Sequence, residues 1–145
     1  MSSPVFDAEA VPTSAATPLA VVQAWHDALN AQDFARFASL LAADVEFAGP
    51  KGTGRGAAMV REWAERAGVQ LHPRRWFQRE GDVVVAQQAR WRDPTTGEWG
   101  EPLAVATVFR VEDGLVRRVA RCDTLPQALA VAGLAEATET TSPRP

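Results

Sequence analysis

Two pairs of residues have types and spacings that could do proton chemistry. The first is His26-Asp27, an imidazole next to a carboxylate. Neighbours on a helix diverge by about 100° and cannot touch each other. His26 is therefore expected at the surface or rim, where it can still pass a proton near neutral pH. The second is Arg121 with Asp123, two apart at the end of an apolar run. On a strand that spacing puts both on one face. A guanidinium there can hold a carboxylate or enolate-like oxygen through paired hydrogen bonds, leaving Asp123 as a general base. Two other readings of this pair stay open: an ion pair satisfied within itself, or Asp123 capping the helix that follows. Asp123 and His26 are the candidate catalytic residues.

These groups need walls. Strand alternation turns Val85, Gln87, Ala89 and Trp91 inward, with Val84, Gln88, Arg90 and Arg92 outward. Trp25 and Trp63 come from helices, Phe47 from a first strand and Thr107 from a later one. Trp25, Phe47, Trp63, Gln87, Trp91, Thr107 and Arg121 would then line an aromatic pocket with few polar groups, suited to a cyclic, partly oxygenated molecule. The alternative for the tryptophans is plain core.

Composition removes several function classes. A net charge of −3 over 145 residues argues against a phosphate-tracking nucleic-acid binder. All but one of the fifteen basic residues are Arg, the exception being Lys51. A single cysteine, Cys122, and two histidines, His26 and His72, leave no disulfide framework and no Cys- or His-rich metal cage. No cofactor or metal is expected. Gly49 to Gly56 is glycine-rich but lacks the Gly-Lys-Ser/Thr ending of a phosphate loop. No apolar run is long enough to span a bilayer, and the N-terminus lacks a signal-peptide pattern, so no membrane partner and a cytoplasmic location are expected.

The supporting elements follow from periodicity. Thr17-Pro18 starts a helix with Val22, Trp25 and Leu29 on one face; Asp33 caps a second with Phe34, Phe37, Leu40 and Leu41 as its stripe. Asp44 to Pro50 reads as a first strand. A third helix carries Met59, Val60, Trp63 and Ala67. Four strands follow, at Val69–Gln78, Asp82–Arg92, Leu103–Glu112 and Leu115–Cys122, separated by turn sequences such as Glu80-Gly81 and Asp113-Gly114. His72-Pro73 marks an edge strand or bulge, and Thr124 to Ala132 a closing helix ended by Gly133. Residues 1–16 read as a disordered arm, 17–134 as one domain and 135–145 as a disordered tail.

Ala20-Val21-Val22-Gln23 through Ala28-Leu29-Asn30-Ala31-Gln32-Asp33 to Asp44-Val45, the hairpin Val108 to Val116 and the closing Asp123-Thr124-Leu125 together resemble the nuclear-transport-factor-2-like (NTF2-like) superfamily, in its SnoaL-like polyketide-cyclase and ketosteroid-isomerase branch. The resemblance spans roughly residues 17 to 134. It implies an α+β cone, a curved mixed sheet wrapped around N-terminal helices and enclosing a pocket. Ketosteroid isomerases place a base Asp just before a Pro; the matching residue here is Gly49. Their oxyanion-hole Tyr and Asp match Trp25 and Thr107. The acids and bridging Arg of limonene epoxide hydrolases match Gln87, Ala89 and Arg121, and their water-holding Tyr and Asn match Phe47 and Gly49. Neither mechanism is supported by those residues. The resemblance implies a small-molecule-binding protein, dimeric through the outer sheet, with isomerisation, cyclisation or hydration by proton transfer as its chemistry. A non-catalytic binding or association module is the alternative, and an epoxide hydrolase with relocated acids ranks third.

Overall fold

The structure, a computed structural model, describes residues 17–49 and 52–142. The expected N-terminal arm lies outside the described residues. Helix α1, Pro18–Ala31, starts where Thr17 Oγ1 accepts from the Ala20 amide at 3.1 Å, and ends on Gln32 in the left-handed region. A side-chain acceptor at this position satisfies an amide that the helix itself cannot. Helix α2, Phe34–Ser39, is capped in the same way by Asp33. Strands β1, Leu41–Gly49, and β2, Gly52–Arg55, form a hairpin in the segment read as a loop from its glycines. Helix α3 spans Ala57–Ala67. Then come β3, Val69–Arg79; β4, Asp82–Trp91; β5, Leu103–Glu112; and β6, Leu115–Cys122. Helix α4 is Leu125–Ala132, and a two-residue strand β7, Glu139–Thr140, follows a short helical turn.

Among the described residues the strands make one sheet of order β2-β1-β6-β5-β4-β3-β7. Only β1 and β6 run parallel; the other pairs are antiparallel. This is the mixed, curved α+β sheet expected. Its meander turns are set locally: Asp113 and Gly114 both have φ above zero, the geometry that lets a two-residue turn match strand twist. Gly81 has a different constraint, since a Cβ there would lie 2.5 Å from the Val111 carbonyl oxygen.

Bulges curve the sheet. Register shifts occur between Pro73 and Arg75 on β3 and beside Arg110 and Val111 where β5 meets β6. The first matches the reading of His72-Pro73. It also switches parity, so that Leu71 and Trp76 bury on the same side of the sheet although their numbers differ by five. On that side α1 and α3 cover a core built around Val22, Trp25, Leu29, Phe37, Val60 and Phe109. The opposite side has its own core, with Phe77, Val84, Ala106, Val108, Ala120 and Cys122 under Ala128, Leu129 and Leu134. Val84 thus points away from α1 and α3, as alternation requires, yet is fully buried.

Three boundaries differ from expectation. β1 begins at Leu41 rather than Asp44. Met59 is exposed, and the buried stripe of α3 runs through Val60 and Ala64. Part of the tail read as disordered is structured: Glu139–Thr140 pairs with Phe77 and Trp76 of β3. A polar, proline-containing composition concealed this, because the segment is held by pairing and by Arg75–Glu139 hydrogen bonds of 2.9 Å, not by burial of its own side chains.

Candidate active site

Between the helices and the concave face of the sheet lies a cavity of about 450 Å³. The period of each element determines what it contributes. From α3 come Trp63, Arg66 and Ala67, spaced three and four apart on one helical face. Alternation supplies Phe47 and Gly49 from β1, Val69 and Leu71 from β3, and Val119 and Arg121 from β6. Trp91 of β4, Thr107 of β5, Trp25 of α1 and Gly52 complete the lining. The Phe47 and Trp63 rings pack with centroids 5.0 Å apart. Trp25 sits deeper, against Phe37 at 5.3 Å and Phe109 at 4.9 Å. Asn30 braces this wall: its side-chain amide donates to the Leu71 carbonyl and accepts from the Leu71 amide, both at 2.9 Å.

The charge of the cavity has one sign. Arg66 and Arg121 line it, and no Asp, Glu or His does among the described residues. Arg121 is half-buried, with its guanidinium carbon 5.4 Å from the Trp91 ring centroid. A cation over an aromatic face is held in place while its N–H groups remain free to donate. Among the described residues Arg55, Arg61, Arg75, Arg110 and Arg117 pair with carboxylates; Arg66 and Arg121 are among the arginines that do not. Among the described residues no group of three His, Cys, Asp or Glu stands close enough to hold a metal ion. No described helix is long and apolar enough to cross a membrane.

Behind the wall runs a buried polar chain. His26 Nδ1 lies 2.8 Å from the Val22 carbonyl oxygen, and its Nε2 lies 2.7 Å from Gln87 Nε2. Thr107 Oγ1 donates to Gln87 Oε1 at 2.7 Å. All three residues are buried, His26 completely. Burial pushes the His26 imidazole down to about 4, against weaker opposing effects of the Val22 hydrogen bond and of Asp27. Withdrawing a cationic ring from water is what makes the neutral form preferred.

The expected site residues divide accordingly. Trp25, Phe47, Trp63, Trp91, Thr107 and Arg121 do line the cavity. Gln87 stands behind Thr107. His26 is not at the rim: it is enclosed by Trp25, Trp76 and Phe109, because the aromatic face of α1 is wide enough to take it inside. With both ring nitrogens engaged it has no route to the cavity as a base. Asp123 is exposed, beyond the last residue of β6, and its amide donates to Gln127 Oε1. It does not line the cavity, and the strand alternation that would have turned it inward ends at Cys122. Trp25 Nε1 is sealed from solvent and has no hydrogen-bond partner among the described residues, which leaves an unsatisfied donor in the wall. Arg66 was missed, although its spacing from Trp63 and Ala67 carried the signal.

Comparison with known proteins agrees with this geometry. Residues 22–119 match the SnoaL-like domain family. An NTF2-like protein from Cytophaga hutchinsonii superposes with a TM-score of 0.68 at 18% identity, over 82% of this chain and 99% of that one. TerC, co-crystallised with polyporic acid, gives 0.64 at 20% identity, over 80% and 98%. A protein of ketosteroid isomerase-like fold from Catenulispora acidiphila, in complex with trimethylamine, gives 0.63 at 19%, over 79% and 93%. No curated protein matches the chain. With more than half its length matched to the family and the cone-shaped sheet in place, this chain belongs to the SnoaL-like domain family.

Proposed function

We propose that the cavity receives a small cyclic, hydrophobic, partly oxygenated molecule, whose anionic or enolate-like oxygen is held by Arg121. The observation that carries this reading is the pairing of an aromatic enclosure with two lining arginines that have no carboxylate partner among the described residues. Four aromatic side chains provide flat apolar walls, and the half-buried Arg121 guanidinium provides donors that a low-dielectric surrounding strengthens. Isomerisation, aldol-type cyclisation and hydration by proton transfer all develop negative charge on oxygen. Stabilising that charge is the part these residues are equipped to perform. Asp123, exposed and outside the lining, is not placed to act as the base, and no described residue of the lining is a carboxylate or an imidazole.

A second reading is favoured by one specific observation: the described lining holds no carboxylate and no imidazole. On this reading the cavity binds its molecule without turning it over. A thermal-shift screen of cyclic metabolites, followed by turnover assays on any hit, separates the two. Binding lost in Arg121→Ala supports the site in both. Turnover of a hit by the wild type supports the enzyme; binding without turnover supports the binder. A screen in which no cyclic molecule stabilises the protein rejects both readings.

A further inference from the structure

The buried chain behind Thr107 determines what kind of group the cavity can accept. A backbone carbonyl only accepts, so the His26 nitrogen facing Val22 must carry a proton. The ring is shut among Trp25, Trp76 and Phe109 with no exposure, conditions that disfavour a cation. Neutral imidazole with a proton on Nδ1 has a bare Nε2, which can only accept. The part of Gln87 that faces it is therefore the NH₂ group. That orientation turns the Gln87 carbonyl oxygen to Thr107, whose hydroxyl must donate. The reverse orientation of the Gln87 amide would demand an imidazolium. Thr107, a residue of the cavity lining, thus has its only hydroxyl proton committed inside the wall, and what its oxygen retains is acceptor capacity.

Arg66 and Arg121 offer only donors. The cavity therefore asks opposite things of a ligand at its two polar points. We propose that the ligand is a cyclic organic acid bearing a hydroxyl or N–H group away from its acidic group, with the acid toward Arg66 and Arg121 and the donor on Thr107 Oγ1. This rests on the small-molecule reading above. His26 and Gln87 are positioning residues in it: they touch no ligand and set the polarity of the group that does. A keto or ether oxygen at Thr107 would meet lone pairs and leave an acceptor unsatisfied.

Three matched probes test this: 6-hydroxy-2-naphthoate, 6-methoxy-2-naphthoate and 2-naphthoate, titrated into the full chain and followed by protein NMR. The hydroxy acid should bind roughly tenfold or more tightly than the methoxy acid, the effect of one buried hydrogen bond gained against one acceptor left facing another. Thr107→Val should abolish the preference and Thr107→Ser retain it, while Arg121→Ala should weaken all three probes alike. The ¹⁵N shifts of the His26 ring should show a proton on Nδ1 alone at pH 7. Equal binding of the hydroxy and methoxy acids to the wild type, or a proton on Nε2, overturns this inference and leaves the small-molecule reading intact. Failure of all three probes to bind rejects that reading and this inference with it.

Discussion

Lowering the pH should destabilise this protein through His26 in a measurable, removable way. The unfolded chain binds a proton on this ring near the ordinary value of 6.5, whereas the folded protein resists doing so until about 4. Between these values the unfolded state holds more protons, so stability falls as pH drops. About a pH unit above 6.5 and higher, neither state is appreciably protonated and the site contributes no slope. From pH 7 to 4.5 the linkage amounts to about 2 kcal/mol, at up to about 1.4 kcal/mol per pH unit. Urea unfolding followed by tryptophan fluorescence measures it, with His26→Gln as the non-titrating comparison and exposed His72 retained in both proteins. The wild type should lose about 2 kcal/mol more than the variant over this interval. Parallel stability–pH curves would show that His26 titrates normally, and would remove the neutral imidazole on which the Gln87 and Thr107 orientations depend.

Other expectations concern the walls. Asn30→Ala removes both bonds to Leu71 and should cost about 2 kcal/mol, read by the same unfolding assay; a change under about 0.5 kcal/mol would mean that the contact is incidental. Thr17→Ala should cost about 1 kcal/mol through loss of the α1 cap, with the thermal midpoint as readout. Gly49 has room for a side chain, since its Cβ would meet only Phe47 Cε2 at 3.7 Å. Gly49→Asp should therefore fold, yet weaken binding of 2-naphthoate roughly tenfold by putting a like charge in the cavity; calorimetry showing unchanged or tighter binding would contradict an anionic ligand.

Much of the fold could be read from the chain because its signals are local. Thr17-Pro18, Asp33, Asp113-Gly114 and Gly133 each mark an element's end through one backbone requirement, and alternation along Val83 to Trp91 specified which side chains faced the helices. The site was legible only where period alone decides, as at Trp63, Trp91 and Arg121. His26 was misplaced because its role depends on Gln87 and Thr107, residues distant in sequence whose contact is created by folding. Asp123 was expected inward by carrying the alternation one residue past Cys122, although the helix start at Thr124 already marked the strand's end. The hairpin at Gly52–Arg55 and the strand at Glu139–Thr140 escaped for a shared reason: both are held by neighbouring backbone, and neither has an apolar face to announce it.

The two-residue strand β7 has a practical consequence for where this domain stops. A chain cut after Leu134 would keep every apolar residue of both cores but leave the backbone of Trp76 and Phe77 without its outer partner. Unpaired strand margins are templates on which other chains assemble. The Glu139 carboxylate that grips Arg75 also holds that margin closed to intruders. The minimal unit that stays monodisperse is accordingly set by a polar segment that contributes almost nothing to either core, and expression boundaries chosen from hydrophobicity alone would trim away the piece that keeps the sheet's edge shut.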